Sequence, residues 1–563
     1  MGEISVASSV GFRPFRSTSG FVMATLLALV LLSAVGCPRD PQGLTPPELT
    51  YLAASQSLIH DRDLEFGEED RQRLADFSRS AKDLLLEPGS DGAGRRYGVP
   101  AIYPLVAAPF VLLAPVRGAV VLNALLLALV AVTAAKRLSQ RLGQAAVALV
   151  GVCLFASVMY RSTYLIGPTM LLAACVAIAF SLAISHEEPA VHGIEEVYRP
   201  PRTSSGSGIR GLAIGCLLGV VAIHHSLYLL LAIPAAAATP PDRRRSGLMG
   251  LAGGLPLVGL AAGMFGHLWG VPIEDLGSDV AERVSQVGVG LTTWNLLYFA
   301  VGRNVGVLPY FLPSLALLGL WKGRAGRSTL VMTAIVGSVA LVVLAPFNFF
   351  GGPAAVGSAW LIPWFVLLWF LPTETLPKGW LVATALLAVP AMYPTWLAPS
   401  VEPLAANGVY RHAAGQVHRW LPLETTQEKL PPGEVMGNRF WIRSLSREAQ
   451  VSGSSRWLLE GEDWAELQLA VPTELASIHL QFGPQAEAEL EVRGADLGDM
   501  VLLADGGVGF RLENLTRKAL HPMWWSGQKH FNYVLQFRMP MEEPRAQSLS
   551  ITAIAADLDR EKP

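Results

Sequence analysis

GAVVLNALLLALVAVTAAKRLSQR, Gly118 to Arg141, is a long, mostly apolar run closed by Lys136, Arg137 and Arg141. As a helix, its apolar part reaches about 27 Å, close to the ~30 Å of a bilayer's hydrocarbon layer. The basic closing stretch marks a cytoplasmic end, because positive charge is retained on that side. The segment therefore predicts a membrane crossing.

The pattern repeats along the chain. Apolar stretches of comparable length run over 20–36, 143–160, 164–185, 209–238, 246–265, 305–321, 329–346, 355–371 and 379–396. The stretch 209–238 is too long for one crossing. It is expected to be two short helices meeting near His224 and His225, since Arg210 before it and Arg243, Arg244 and Arg245 after it then share one side. Arg13 and Arg16, Lys136 to Arg141, the loop from His186 to Arg210, and Lys322, Arg324 and Arg327 fall on that same inner side, provided 101–116 is an interfacial or re-entrant segment. The expected fold is thus a membrane all-α bundle of about eleven crossings, N-terminus inside and C-terminus outside.

Composition agrees. Over 563 residues, 51% are hydrophobic and only 16% charged, and the mean hydropathy is +0.39. A soluble chain carries nearer a quarter charged residues. The formal net charge of -2 gives no global reason to bind nucleic acid, which is excluded as a partner. Cys153, Cys175 and Cys216 lie in apolar runs and Cys37 near an aqueous boundary, so no disulfide framework is expected. Arg13 and Arg16 before Gly20 to Gly36 fit a signal peptide, and AVGC at Ala34 to Cys37 a lipoprotein site. The many later spans favour retention as a first membrane helix.

These readings divide the chain into a cytoplasmic start, 1–19, and a membrane domain, 20–397, with a first outer loop at 37–100 and the interfacial segment at 101–116. A linker at 398–434 leads to an extracytoplasmic domain, 435–563. There AELQLAV, SIHLQF, AELEVRG and YVLQFRM alternate apolar and polar residues between Gly, Pro and Asp, the period of half-buried strands. An all-β sandwich is expected. Its tryptophans mostly suit a core, but adjacent strand residues point to opposite faces, so one of Trp524 and Trp525 faces outward as a platform for a glycan ring.

The first outer loop holds the densest ionisable cluster, with Glu48, Asp61, Asp63, Glu65, Glu68, Glu69 and Asp70. A tuned carboxylate beside a membrane can take a proton from an acceptor hydroxyl. Glu68, Glu69 and Asp70 read better as the start of a solvated helix, EEDRQRLADFSRSAKDLL. Asp61 and Asp63, which precede it, are open to both a functional and a structural reading.

PELTYLAASQSLIHDRDLEF (Pro47 to Phe66), RRYGVPAIYPLVAAPF (Arg95 to Phe110), NVGVLPYFLPSLALLGL (from Asn304) and FGGPAAVGSAWLIPW (from Phe350) stand in an order that resembles the GT-C superfamily. These are polyprenyl-phosphate-sugar-dependent glycosyltransferases, including protein O-mannosyltransferases and aminoarabinose transferases. The resemblance spans roughly 15–397. It implies sugar transfer from a polyprenyl-phosphate carrier to an outer glycan, lipid or protein acceptor, with Glu48 or Asp63 as general base. The sequence departs from the family pattern at Pro47, where the first acid of an acidic pair is usual, at Gly167 or Pro168, and at Ala359. Those departures support the alternative of a catalytically inactive scaffold or glycan-binding subunit.

A carrier phosphate leaving in low dielectric needs cationic partners. Arg161 is the first candidate, then Arg303 and the pair Arg95 and Arg96. Arginines at helix ends also serve as interfacial anchors. His224 and His225 sit at a membrane apex where paired histidines can hold phosphate or a metal, yet neighbours on a helix do not face one way and no third ligand is apparent. No metal site is assigned and no cofactor is identified, a divalent cation being left open.

Overall fold

The computed structural model describes residues 44–77, 84–88, 94–184, 205–238, 244–264, 289–302, 306–320, 325–344, 357–371 and 378–397, with scattered positions at 24–36, residue 421, and strand segments between 441 and 558. Most of the expected first membrane helix at 20–36, nearly all of the linker at 398–434, and residues 265–288 lie outside the described residues.

The first outer loop is structured. Helix α1, Pro46–His60, opens on two prolines, which suit a first turn because their missing N–H groups would be unpaired there anyway. Helix α2, Glu68–Asp76, follows a tight turn at Asp61 to Asp63 in which Arg62 adopts a positive φ of 64°. Two short strands, β1 (Leu86–Pro88) and β2 (Arg95–Tyr97), pair antiparallel, and Glu65 bridges to Arg96 to extend the patch.

Segment 101–116 forms helix α3, Ile102–Leu113, broken at Ala114 by an extended backbone before α4, Pro115–Leu142. At twelve residues α3 is about 18 Å long, too short to cross. The corner demands glycine at 118, where a Cβ would lie 1.9 Å from the Phe110 carbonyl oxygen. Near its other end, Arg137 donates to the Ile184 carbonyl, so the ends of α4 and α7 (Thr169–Ala183) share one side of the bundle. Helix α7 is apolar all round and buried on nearly all sides, as a central helix must be.

The stretch 143–160 is shorter as a helix than its hydropathy suggests. Helix α5, Ala145–Phe155, stops before Ser157, whose hydroxyl donates to the Cys153 carbonyl and accepts from Met159 N at 3.4 Å. Val158 N then donates to the Tyr310 carbonyl at 3.1 Å, so the break leaves that backbone group satisfied. Helix α6, Met159–Ser162, completes the turn.

The 209–238 run divides where expected. Helix α8, Ser205–His224, ends at an extended His225. A 3-10 turn, Ser226–Leu231, and α9, Ala232–Ala237, then lead to α10, Arg244–Met264. A Cβ on Gly250 would meet the Gly208 carbonyl at 2.3 Å, one on Gly254 the Leu212 carbonyl at 2.5 Å, and one on Gly219 Val258 Cβ at 2.9 Å. The paired numbers rise together, so α8 and α10 run parallel with their backbones touching. The chain between them must return through the full depth of α8, which confirms two legs and puts Arg210, Arg244 and Arg245 at one end.

Helices α11 (Val289–Val301), α12 (Val307–Ala316), α13 (Ala325–Leu344), α14 (Ile362–Leu368) and α15 (Lys378–Leu397) complete the bundle among the described residues. Apolar side chains exposed at helical spacing, Leu125, Leu129 and Val132 on α4, Met332, Ile335, Val336 and Val339 on α13, and Val382, Leu386 and Leu387 on α15, form stripes that suit an apolar surrounding better than water. Pro115–Ser139 is the one described helix both long and apolar enough for an unaided crossing, and the shorter apolar helices run 10–17 residues.

Beyond the bundle, ten described strands, β3 (Trp441–Leu445) to β12 (Leu549–Leu558), pair antiparallel. They form one sheet ordered β4-β5-β12-β7-β10-β9 and another ordered β3-β6-β11-β8.

Candidate functional site

The loops at the end of the bundle opposite Arg137 and Arg210 meet around residues 158–167. Helix α1 contributes Glu48, which is buried at 5% exposure. Its Oε2 accepts from Thr45 N at 3.0 Å and from Thr45 Oγ1 at 2.9 Å, and its Oε1 accepts from Ile166 N, 118 positions away, at 2.9 Å. A capping-box glutamate thereby also fastens a distant loop. From the other side, Asn123 Nδ2 donates to the Leu165 carbonyl at 2.7 Å and Asn123 Oδ1 accepts from Tyr103 OH at 3.2 Å. Tyr51 meets Tyr103 edge to face at 5.4 Å. Gly357, at φ +67°, abuts Tyr310, where a Cβ would lie 2.5 Å from its Cβ. Arg161 is buried at 2% exposure within this assembly.

Asp63 lies at the opposite end of α1. Ser57 Oγ donates to its Oδ1 at 3.1 Å, and Glu65 N donates to the same oxygen at 3.2 Å. The side chain is otherwise exposed. Nine residues of helix separate Ser57 from Glu48, about 13.5 Å of rise, so Glu48 and Asp63 cannot act on one reacting atom. Beside Asp63 runs β2: Phe66 N donates to the Arg95 carbonyl at 2.7 Å and Tyr97 N to the Leu64 carbonyl at 3.3 Å. Arg95 is exposed, whereas Arg96 turns to Glu87 at 3.4 Å. In this pairing Arg95 stands opposite Phe66 and Arg96 opposite Glu65, so the strand carrying both arginines runs beside the segment that follows Asp63.

Asp61 is held differently. Arg73 forks between Asp61 and Asp70, at 2.7 Å to Asp70 Oδ1, and Asp70 Oδ2 accepts from Gly67 N at 2.9 Å. Burial works to raise the Asp61 pKa, but hydrogen bonds from Arg73 and Glu69 and the Arg73 charge outweigh it and hold the carboxyl below its ordinary range. Glu69, hydrogen-bonded to Asp61, is raised in turn. Burial, then the neighbouring Asp70 charge, push the Tyr97 phenol up. This group reads as a brace between α1 and α2.

The histidine pair marks the break after α8. His225 Nδ1 accepts from Leu227 N at 3.3 Å, and its ring lies 4.9 Å from that of Trp360. Tyr228 OH donates to the Trp360 carbonyl at 2.7 Å. Both ring nitrogens of His224 are buried without a hydrogen-bond partner among the described residues. The preceding Ile223 packs in a small cluster with Ala101, Leu64, Ile102 and Val258. The outer loop therefore rests on the tip of α8, next to Asp63.

Among the sequence-assigned residues, Asp63 thus precedes the segment that pairs with the strand of Arg95 and Arg96, and Glu48 is bonded to the segment following Arg161. Arg303, Trp524 and Trp525 lie outside the described residues. No group of three or more His, Cys, Asp or Glu suited to a metal occurs among the described residues. Tyr103, Asn123 and Trp360 were not singled out from sequence. Asn123 was the accessible signal, a lone amide within an apolar run.

No family model matches the chain, nor does any curated protein. Among solved structures, that of ArnT from Cupriavidus metallidurans bound to undecaprenyl phosphate is similar at a TM-score of 0.41, with 14% identity over 72% of this chain and 70% of that one.

Proposed function

We propose that the protein is a membrane glycosyltransferase that moves a sugar from a polyprenyl-phosphate carrier to a glycan, lipid or protein acceptor on the extracytoplasmic face of the bacterial inner membrane. In this reading the bundle makes about eleven crossings with its N-terminus cytoplasmic. The two C-terminal sheets stack as an extracytoplasmic β-sandwich, on which Trp524 and Trp525 contact glycan.

The observation that carries the reading is the placement of Asp63. Of the three candidate carboxylates it alone is exposed, and it lies beside the strand of Arg95 and Arg96. Asp63 takes the proton of an acceptor hydroxyl as the oxygen attacks the anomeric carbon. The bond from that carbon to the carrier phosphate breaks, and the electron pair leaves with the phosphate. Arg95, assisted by Arg96, compensates the departing charge. Arg303 is a further cationic partner. Arg161, being buried, supports the site from within, as do Glu48 and Asp61.

The test is an assay of purified protein with several polyprenyl-phosphate sugars. Carrier hydrolysis or transfer by the wild type, lowered 10²-fold or more in Asp63→Asn, is the expected result. The contrary result, turnover undiminished in that variant, removes Asp63 from the chemistry.

A second reading, a glycan-binding scaffold without turnover, is favoured by one feature: Glu48 and Asp61 are both taken up in structural contacts. Glycan binding with no hydrolysis of any carrier would select it.

A further inference from the structure

The apex after α8 contains a combination that structural packing alone does not explain. Burying both nitrogens of an imidazole without partners costs about 1–3 kcal/mol per group. A neutral imidazole carries one N–H donor and one acceptor nitrogen. His224 therefore presents both functions, unmet, at the broken end of a membrane helix. Two hydroxyls on one ligand, one accepting and the other donating, would answer both nitrogens.

The next residue supplies a third polar function. Because His225 Nδ1 accepts from Leu227 N, the proton of a neutral His225 ring lies on Nε2, which makes that nitrogen a donor. The half-buried rings of His225 and Trp360 stand 4.9 Å apart at 59°, and Tyr228 fixes the Trp360 backbone through its hydroxyl. Trp360 is delivered there by a turn in which Gly357 and Ser358 both take positive φ, 67° and 45°. For a serine that conformation is costly and persists where the surroundings impose it. Aromatic faces beside hydrogen-bonding groups suit a polyhydroxylated ring, whose C–H faces are apolar and whose edges are polar.

Ile223, the residue before His224, is covered by the outer loop and the start of α3, where Leu64 and Ile102 also pack against the main core. Ala101 and Ile223 are the two buried residues of a satellite cluster, with Leu64, Ile102 and Val258 packed against them. Leu64 follows Asp63 directly, so lifting this cover moves the exposed carboxylate's own turn.

We infer that His224, His225 and Trp360 form the subsite for the sugar ring of the carrier-linked donor, closed by a lid comprising Leu64, Ala101 and Ile102. The inference rests on the glycosyl-transfer reading above and adds where the sugar lies. His224 exchanges a donor and an acceptor with ring hydroxyls when the lid lifts, and Trp360 packs on the ring face. In the closed state its nitrogens stay unmet, which biases the lid toward opening.

The experiment compares the affinity of the purified full chain for two probes: bare undecaprenyl phosphate, and undecaprenyl phosphate carrying a hexose or an aminopentose. His224→Leu and Trp360→Leu are expected to weaken the glycosylated carrier about tenfold or more while leaving the bare carrier within about twofold, the first by the loss of one or two hydrogen bonds and the second by the loss of packing on the ring face. Equal loss of both probes, or no loss of either, overturns the subsite and leaves the proposed function standing. A buried water as the sole partner of His224 predicts the latter outcome. If the wild type binds neither probe, the glycosyl-transfer reading falls and the subsite with it. Should Trp360→Leu fail to fold, His225→Phe retains the ring and removes the Nε2 donor, and the same split between probes decides.

Discussion

The two ends of α1 carry the same functional group in opposite states. At the start of the helix the Glu48 carboxylate is buried and accepts three hydrogen bonds, two from Thr45 and one from Ile166. Beyond its other end Asp63 accepts one bond from Ser57 in the last turn of α1 and one from Glu65 N, and otherwise faces solvent. A carboxylate with its lone pairs engaged by backbone is a fastener, and one with free lone pairs can receive a proton. The loop's acidity is therefore divided between architecture and chemistry, and neighbourhood in sequence does not tell the two apart.

That contrast is breakable. The largest effect is expected for Glu48→Ala, which strands the Ile166 N–H and both Thr45 donors in the interior. About 3 kcal/mol of stability should be lost, measured by unfolding of the detergent-solubilised protein. If Asp63→Ala costs as much, the division between the two ends is wrong. Asn123→Ala, which frees the Leu165 carbonyl and the Tyr103 hydroxyl on the other flank of the same loop, should cost about 2 kcal/mol. Its effect should combine non-additively with Glu48→Ala, since both hold one segment.

Arg73→Ala sharpens the middle of the comparison. It should cost about 1–2 kcal/mol near neutral pH, because Asp61 and Asp70 lose their shared partner. Asp61 is depressed in the folded state. Its contribution is therefore complete above the unfolded value, about 4, and is lost as pH falls through the folded value. The gap between wild type and Arg73→Ala should accordingly narrow below about pH 4. The smallest expected effect is that of Asp63→Asn on stability, within about 0.5 kcal/mol, as suits an exposed position.

Much of the architecture was legible. Hydropathy located the helices, and matching the positions of arginines split 209–238 at His224 and His225, where α8 ends. Two things were not legible. The glycine seam between α8 and α10 was hidden because apolar composition reports burial in lipid or protein without saying which faces meet. The locked state of Glu48 was hidden because its decisive partner is a backbone amide 118 residues away, and a backbone amide has no sequence signature. Ser157 shows a third limit: one hydroxyl bonding to its own helix ended α5 inside an otherwise uniform apolar run.

Side by side and pointing the same way, α8 and α10 cannot cancel each other's peptide dipoles as antiparallel neighbours do. The carbonyl-terminated end of α8, at His224, carries a partial negative charge of about half an electron. Such an end attracts proton donors and repels anions. A carrier approaching the apex would accordingly be oriented by the field before any contact forms, hydroxyls toward the helix end and phosphate turned away toward the guanidinium of Arg95.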